Sequence, residues 1–342
     1  MHMADALISP AVGGIMLAAS TGTIAYSVGK LKDGLEEKKI PLMGVMGAFV
    51  FSAQMINFTI PATGASGHLG GGLLLAALIG PYAGFLVMTS VLVIQALFFG
   101  DGGLLALGCN VFNLGFFTCF IAYPLIYKPL QRKGLSAKTI TLGTIAAVIV
   151  GLQLGAFGVV LETLISGKTA LPFTTFVLLM QPIHLAIGLV EGIVASAVLC
   201  FIFRFSPEIL ENALTGKQSV KTQPKKILII LIILTMITGG LLSWFASENP
   251  DGLEWVLNKA TNTVDSEAPM GLEAVISDIQ NRLALLPDYN FRTDDSGMPT
   301  RTGTSTSGIV GSLLTLGVVG LIGLVATKIK RKAHVKNNHQ SK

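Results

Sequence analysis

"TITLGTIAAVIVGLQLGAFGVV" (residues 139–160) carries no charged side chain and a single side-chain amide, Gln153. A helix rises ~1.5 Å per residue, so about 20 such residues match the ~30 Å hydrocarbon core of a bilayer. Helices on the surface of soluble domains keep a charged face, and this one has none. Comparable segments lie near 11–29, 41–58, 69–84, 85–99, 106–127, 182–203, 227–245 and 308–327. The pair 69–84 and 85–99 is short and joined at "GPYAG" (80–84), which reads as a tight or tilted hairpin. Composition agrees over all 342 residues: 51% are hydrophobic and 13% charged, where soluble domains average about 25% charged, and the mean hydropathy is +0.68. The fold class is an all-α polytopic membrane protein. About seven helices form a bundle, and two further transmembrane helices flank an external loop.

The basic residues set an expected orientation, because lysine and arginine collect in short cytoplasmic loops. With an outside amino terminus, the inside segments 30–40, 80–84, 128–138, 204–226 and 328–342 hold all but five of the 24 basic residues. Only Lys168, Lys259, Arg282, Arg292 and Arg301 fall elsewhere. The expected location is the cell membrane, with the amino terminus outside and the carboxyl terminus cytoplasmic. The net charge of +5 is thus an orientation signal, and no nucleic-acid partner is expected. Four parts follow: a seven-helix domain over 1–205, a basic cytoplasmic linker over 206–226, a two-helix accessory domain over 227–327 and a basic tail over 328–342. The accessory domain encloses the loop 246–307, which is acidic and ends in the polar "TDDSGMPTRTGTSTSG", read as flexible. Cys109, Cys119 and Cys200 lie inside apolar segments without CxxC spacing and imply neither zinc nor a disulfide framework.

The chain begins "MHMADALISP". A secretory signal wants a basic n-region, but no base precedes Lys30, and Asp5, Pro10 and Gly13–Gly14 interrupt the segment. The first residues are expected to stay. Met1 is expected to stay too, since removal of the initiator needs a small second side chain. The Met1 amine, the His2 backbone nitrogen and His2 Nδ1 can then close a five- and a six-membered chelate ring on one metal ion. Three nitrogens in a plane leave one position open, a geometry that suits Ni(II) or Cu(II) better than tetrahedral zinc. Deprotonation of the amine and amide ties affinity to pH.

Four more histidines are candidates for the fourth position. His334 and His339 sit in the basic tail and read as solvated. His184, after "QPI", reads as a hydrogen-bonded helix-end histidine, with ligation as the alternative. His68 stands in "PATGASGHLGGGLLLAALIGP" (61–81), on the expected side of His2, among glycines that permit unusual dihedrals and close approach. It reads equally as a ligand or as a structural histidine at a helix entrance. Gln95, Asp101, Asn110 and Asn113 read as helix-packing or ligand-supporting groups. Glu191 is the costliest buried group and has no partner legible in the sequence.

"MHMADALISP", "SGHLGGGLLLAALIGP" and "QALFFGDGGLLALGCNVFN" together resemble the CbiM/NikM family over about residues 1–205. These are the substrate-capturing membrane subunits of energy-coupling factor (ECF) transporters for nickel and cobalt. "NPDGLEW" (249–255) resembles the PDGLE segment of the accessory component, fused here behind the linker. The resemblance implies that the amino-terminal amine, His2 and His68 bind the metal, that is, Met1, His2 and His68. It also implies a transmembrane coupling subunit and cytoplasmic ATPase subunits as partners. The chain has no GxxxxGK[ST] loop, so ATP hydrolysis is assigned to those subunits and the chain itself is read as a transport subunit, not an enzyme. No cofactor is expected, and Ni(II) or Co(II) is the cargo, nickel slightly preferred. The alternatives are an ECF-type capture subunit for a small organic vitamin and an intramembrane metalloenzyme, the latter without an HExxH signature.

Overall fold

The structure is a computed structural model that describes residues 2–34, 37–132, 134–169, 171–216, 225–261, 271–292 and 300–340. In chain order these form α1 (Pro10–Gly34), α2 (Ile40–Gln54), β1 (Phe58–Ile60), β2 (Ala65–Gly67), α3 (Gly72–Ile79), α4 (Pro81–Ile94), α5 (Leu107–Val111), α6 (Lys128–Gln131) and α7 (Ala137–Ile165). They continue with α8 (Phe173–Phe205), α9 (Pro207–Thr215), α10 (Lys225–Gly240), α11 (Gly252–Thr261), α12 (Leu272–Leu283) and α13 (Arg301–Gln340). A π-type stretch Phe112–Tyr127 joins α5 to α6, and a π-type turn Gln95–Phe99 closes α4.

Each of the nine apolar segments expected from the sequence contains helix, although 55–57 and 69–71 are irregular and Phe58 begins β1. Among the described residues, six helices are long and apolar enough to cross a membrane: Pro10–Leu31, Pro81–Phe99, Leu107–Gln131, Ala137–Ile165, Phe173–Phe205 and Arg301–Lys328. α2 and α10 have 15 and 16 residues, and α3 has only 8. The expected hairpin breaks at Gly80 (φ +87°), followed by Pro81 at the first position of α4, where a missing N–H costs nothing. α7 starts with a capping box: Ser136 Oγ accepts from the Thr139 amide at 3.1 Å, and Thr139 Oγ1 accepts from the Ser136 amide at 3.0 Å.

α7 and α8 pack closely because Gly188 and Gly192 face the backbone of Ile149 and Ile145; a Cβ on either glycine would lie 3.2 Å and 2.8 Å from those Cα atoms. Small residues serve the same purpose where α2, α10 and α13 meet one another, as expected for helices with no hydrophobic drive to associate in lipid. Gly308 lies against the Gly239 carbonyl, Phe51 covers Gly311, and Ser52 and Ser312 hydroxyls meet at 2.7 Å.

The segment 246–307 differs from the open loop expected. It holds α11 and α12, and α13 begins at Arg301 rather than near 308. Ser305, in the stretch read as flexible, donates to the Gly240 carbonyl at 2.6 Å and accepts from Trp244 Nε1 at 2.6 Å. α11 packs against α8 and β2, and α12 against the turn Gln95–Phe99 and residues 5–7, at the end of the bundle described below.

Gly308→Val is expected to destabilise the protein by about 1–3 kcal/mol, the usual cost of overpacking, measured by thermal unfolding in detergent. Gly317, with open space around it, is the control: Gly317→Val should stay within about 0.5 kcal/mol.

Candidate metal-capture site

One end of the bundle gathers four segments: the first residues, the loop after β2, the loop 100–106 and the accessory segment. The first residues enter the fold through their backbone. Met3 N donates to Asn110 Oδ1 at 2.8 Å, Met3 O accepts from Asn110 Nδ2 at 3.2 Å, and Gly103 N donates to Met3 O at 2.8 Å. Asp5 Oδ1 accepts from the amides of Leu105 (2.8 Å) and Ala106 (3.1 Å). "DGG" (101–103) is glycine-rich because the chain start lies on it. A Cβ at Gly103 would collide with Asp5, and Gly102 (φ +80°) sits under Asn110 and His2.

This clasp brings His2 to His68. Their rings stack with centroids 4.9 Å apart and planes 8° from parallel. His2 Nδ1 faces Asp101 Oδ1 at 3.1 Å, while His2 Nε2 is buried with no hydrogen-bond partner. His68 is 8% exposed, and its Nδ1 lies 3.1 Å from the Leu69 carbonyl. Burial, reinforced by the facing His2, lowers its pKa to about 3, so the ring stays neutral at ordinary pH and keeps a nitrogen lone pair. Burial alone would raise the Asp101 carboxyl, but His2 and the Tyr289 hydroxyl outweigh it and hold it below the usual carboxylate range. The site thus pairs a neutral imidazole with a fixed anion. Met1, the third expected ligand, lies outside the described residues.

The loop that carries His68 is clamped from below. Glu191, on α8, accepts from Gly70 N at 2.7 Å and Gly71 N at 2.8 Å, one bond to each carboxylate oxygen. Gln54 Nε2 donates to the Gly70 carbonyl at 2.7 Å. Gly71 adopts φ +79° and lies against Val50, while a Cβ on Gly72 would collide with Thr118, so glycine is required at both. Asn113 Nδ2 donates to Glu162 Oε2 at 2.7 Å and lies 4.0 Å from Met3 Sδ, beside the first residues. His184 anchors Nδ1 on the Met180 carbonyl at 2.8 Å, as expected for a helix histidine, and its Nε2 is buried without a hydrogen-bond partner.

The accessory segment roofs the site. Ser66, two residues before His68, donates its amide to the Pro250 carbonyl at 2.8 Å and its hydroxyl to the Asn249 carbonyl at 2.7 Å. Trp255 Nε1 donates to the Thr63 carbonyl at 2.9 Å. Asp251 Oδ1 accepts from the amides of Leu253 and Glu254, both at 2.8 Å, and so starts α11. Burial would raise its carboxyl, but the bond from the Glu254 amide is among the interactions that hold it lower, at about 2. Gly252 leaves room for His184, whose Cε1 would be 3.2 Å from a Cβ there. Lys168 and Glu273, paired at 2.7 Å, tie the α7–α8 loop to α12. Of these accessory residues the sequence signalled only the motif "NPDGLEW"; Gln280 and Tyr289, which reach the loop 100–106, carried no sign of it.

Glu191→Gln keeps the side chain's shape but leaves one buried amide of the Gly70–Gly71 pair without an acceptor, an effect on the order of 1–3 kcal/mol. It is expected to weaken Ni(II) binding about 10-fold or more, as for other groups that orient a ligand. Isothermal titration beside a melting curve separates this from unfolding.

Two family models match the chain in succession. Residues 2–209 match the family described as the cobalt uptake substrate-specific transmembrane region, CbiM, and residues 225–328 match the PDGLE domain. A protein of Archaeoglobus fulgidus named as a fused nickel transport protein, NikMN, is 33% identical over 97% of this chain and 100% of its own length. The cobalt transport protein CbiM of Sorangium cellulosum is 29% identical over 62% of this chain and 95% of its own. The crystal structure of a truncated transition metal transporter aligns with 60% of this chain and 99% of its own, at 30% identity and a TM-score of 0.53. With its bundle matched over 2–209 and an accessory domain behind it, the chain belongs to the CbiM family of substrate-specific transmembrane proteins.

Proposed function

We propose that this protein captures Ni(II), or Co(II), as the substrate-specific subunit of an ATP-driven ECF-type importer. The observation that carries the reading is the meeting of His2 and His68, ring on ring, in a buried site that also holds Asp101. A neutral imidazole and a carboxylate beside it suit a divalent cation and have no use for an uncharged organic cargo. The names of relatives agree, since they include nickel and cobalt transport proteins.

The ligand set is the Met1 amine, the His2 backbone nitrogen, His2 Nδ1 and a nitrogen of His68. His2 Nδ1 faces Asp101 in the structure. Binding through Nδ1 replaces this contact by one to the ion and leaves the Asp101 carboxylate beside the ion as a counter-charge. Four planar nitrogens favour nickel's d⁸ ion over cobalt. Residues 1–205 are the capture domain and 227–327 the accessory domain, joined by the linker 206–226, with 328–342 as a tail. The amino terminus faces outside and the basic loops face the cytoplasm, where a coupling subunit and ATPase subunits would supply the energy.

Purified protein with its native amino terminus should bind one Ni(II) more tightly than a form extended by a few residues or His68→Ala. Each change removes a ligand and is expected to weaken binding at least 100-fold. Equal affinity for the native and extended forms would refute the chelate, and an unaffected His68→Ala would remove the fourth ligand.

A further inference from the structure

The accessory domain reaches the site at a second point besides its roof. Gln280 Nε2, on α12, donates to the carbonyls of Ala96 (3.0 Å) and Gly102 (2.7 Å). Leu286 N donates to the Phe98 carbonyl at 3.1 Å. Both brace the stretch that ends the π-type turn and begins the "DGG" loop. Tyr289 follows, with its ring stacked on Phe99 (5.0 Å, 20°) and edge-on to Phe51 (6.3 Å). Its hydroxyl donates to Asp101 Oδ2 at 2.5 Å, while Asp101 Oδ1 faces His2 Nδ1 at 3.1 Å.

Two features separate this chain of contacts from ordinary packing. Asp288 and Tyr289 both adopt left-handed backbone conformations (φ +50° and +59°), which residues other than glycine rarely take. The strain is held where a side chain is aimed, a pattern common at functional sites. Moreover, stacking on Phe99 and Phe51 needs only an aromatic ring. The hydroxyl is spent on Asp101.

We infer that Tyr289 is a positioning residue of the capture site, acting through Asp101 on His2, so that the accessory domain completes the surroundings of the bound cation. The inference rests on the capture function proposed above. With one oxygen fixed by Tyr289, the carboxylate has one orientation left, and its other oxygen is presented to the His2 ring and to the divalent cation beside it. Hydrogen bonds to a group that orients a metal ligand typically carry about 10–100-fold in metal affinity.

The test uses the full chain with its native amino terminus, titrated with Ni(II), and the ligand-field absorption of the bound ion. Tyr289→Phe keeps the aromatic stack and is expected to weaken binding about 10-fold and to shift the absorption band, with an unchanged melting temperature. Asp101→Asn, which alters the same relay from the bundle side, should weaken binding at least as much. The double variant should be no weaker than Asp101→Asn alone. An unchanged affinity and spectrum in Tyr289→Phe overturns the inference, as does a double variant whose losses multiply. Should Tyr289→Phe not fold, Asp101→Asn decides alone, and native affinity there overturns it too. The capture reading fails separately, if wild-type protein binds nickel equally with native and extended amino termini.

Discussion

A carboxylate held among apolar helices must find donors, and Glu191 finds them in the amides of Gly70 and Gly71. In a hydrocarbon environment no water can serve instead, so this bracket is the constraint from which the His68 loop takes its shape. It explains why glycine fills 70–72: a backbone amide can approach a carboxylate end-on only where no side chain intervenes. It also explains why the loop can be irregular at the mouth of a membrane bundle. Its backbone groups are met by α8 below, by Gln54 from α2, and by the accessory segment, which takes up Ser66, above.

The chain start obeys the same rule. Asn110, Asp5 and the glycines of "DGG" hold residues 2–5 through backbone hydrogen bonds, as a strand would be held, so the His2 side chain is placed by a fixed main chain. Two segments from distant parts of the sequence are thereby delivered to a common point with their rings parallel. Preorganisation of this kind lowers the entropy lost when a ligand set closes on an ion.

The helices were legible because apolar length is a local property, written in consecutive residues. Even the break at Gly80 was, since Gly-Pro is a local signal. The accessory segment was not. Its helices α11 and α12 are short and amphipathic, and the Ser/Thr/Gly residues at the start of α13 have loop composition. Ser305 and Ser312 nonetheless make helix contacts to Gly240 and Ser52. The two histidines stood out by residue type and glycine context. Glu191 stood out as costly, but its partners are backbone amides, and no residue letter records those. Tyr289, Gln280 and Asp251 act through tertiary placement alone, and only the motif around Asp251 hinted at its neighbourhood.

The docked accessory domain has a consequence for how the roof behaves in time. It is joined to the bundle by the same polypeptide, so its encounter with the site is intramolecular, at an effective concentration set by the connection between them. The hydrogen bonds and the ion pair of the roof add to the close packing of α10 and α13 on α2. Fusion therefore brings the roof to the site without a search through solution, so its seating depends on chain connectivity as well as on the contacts at Ser66, Glu273 and Asp101.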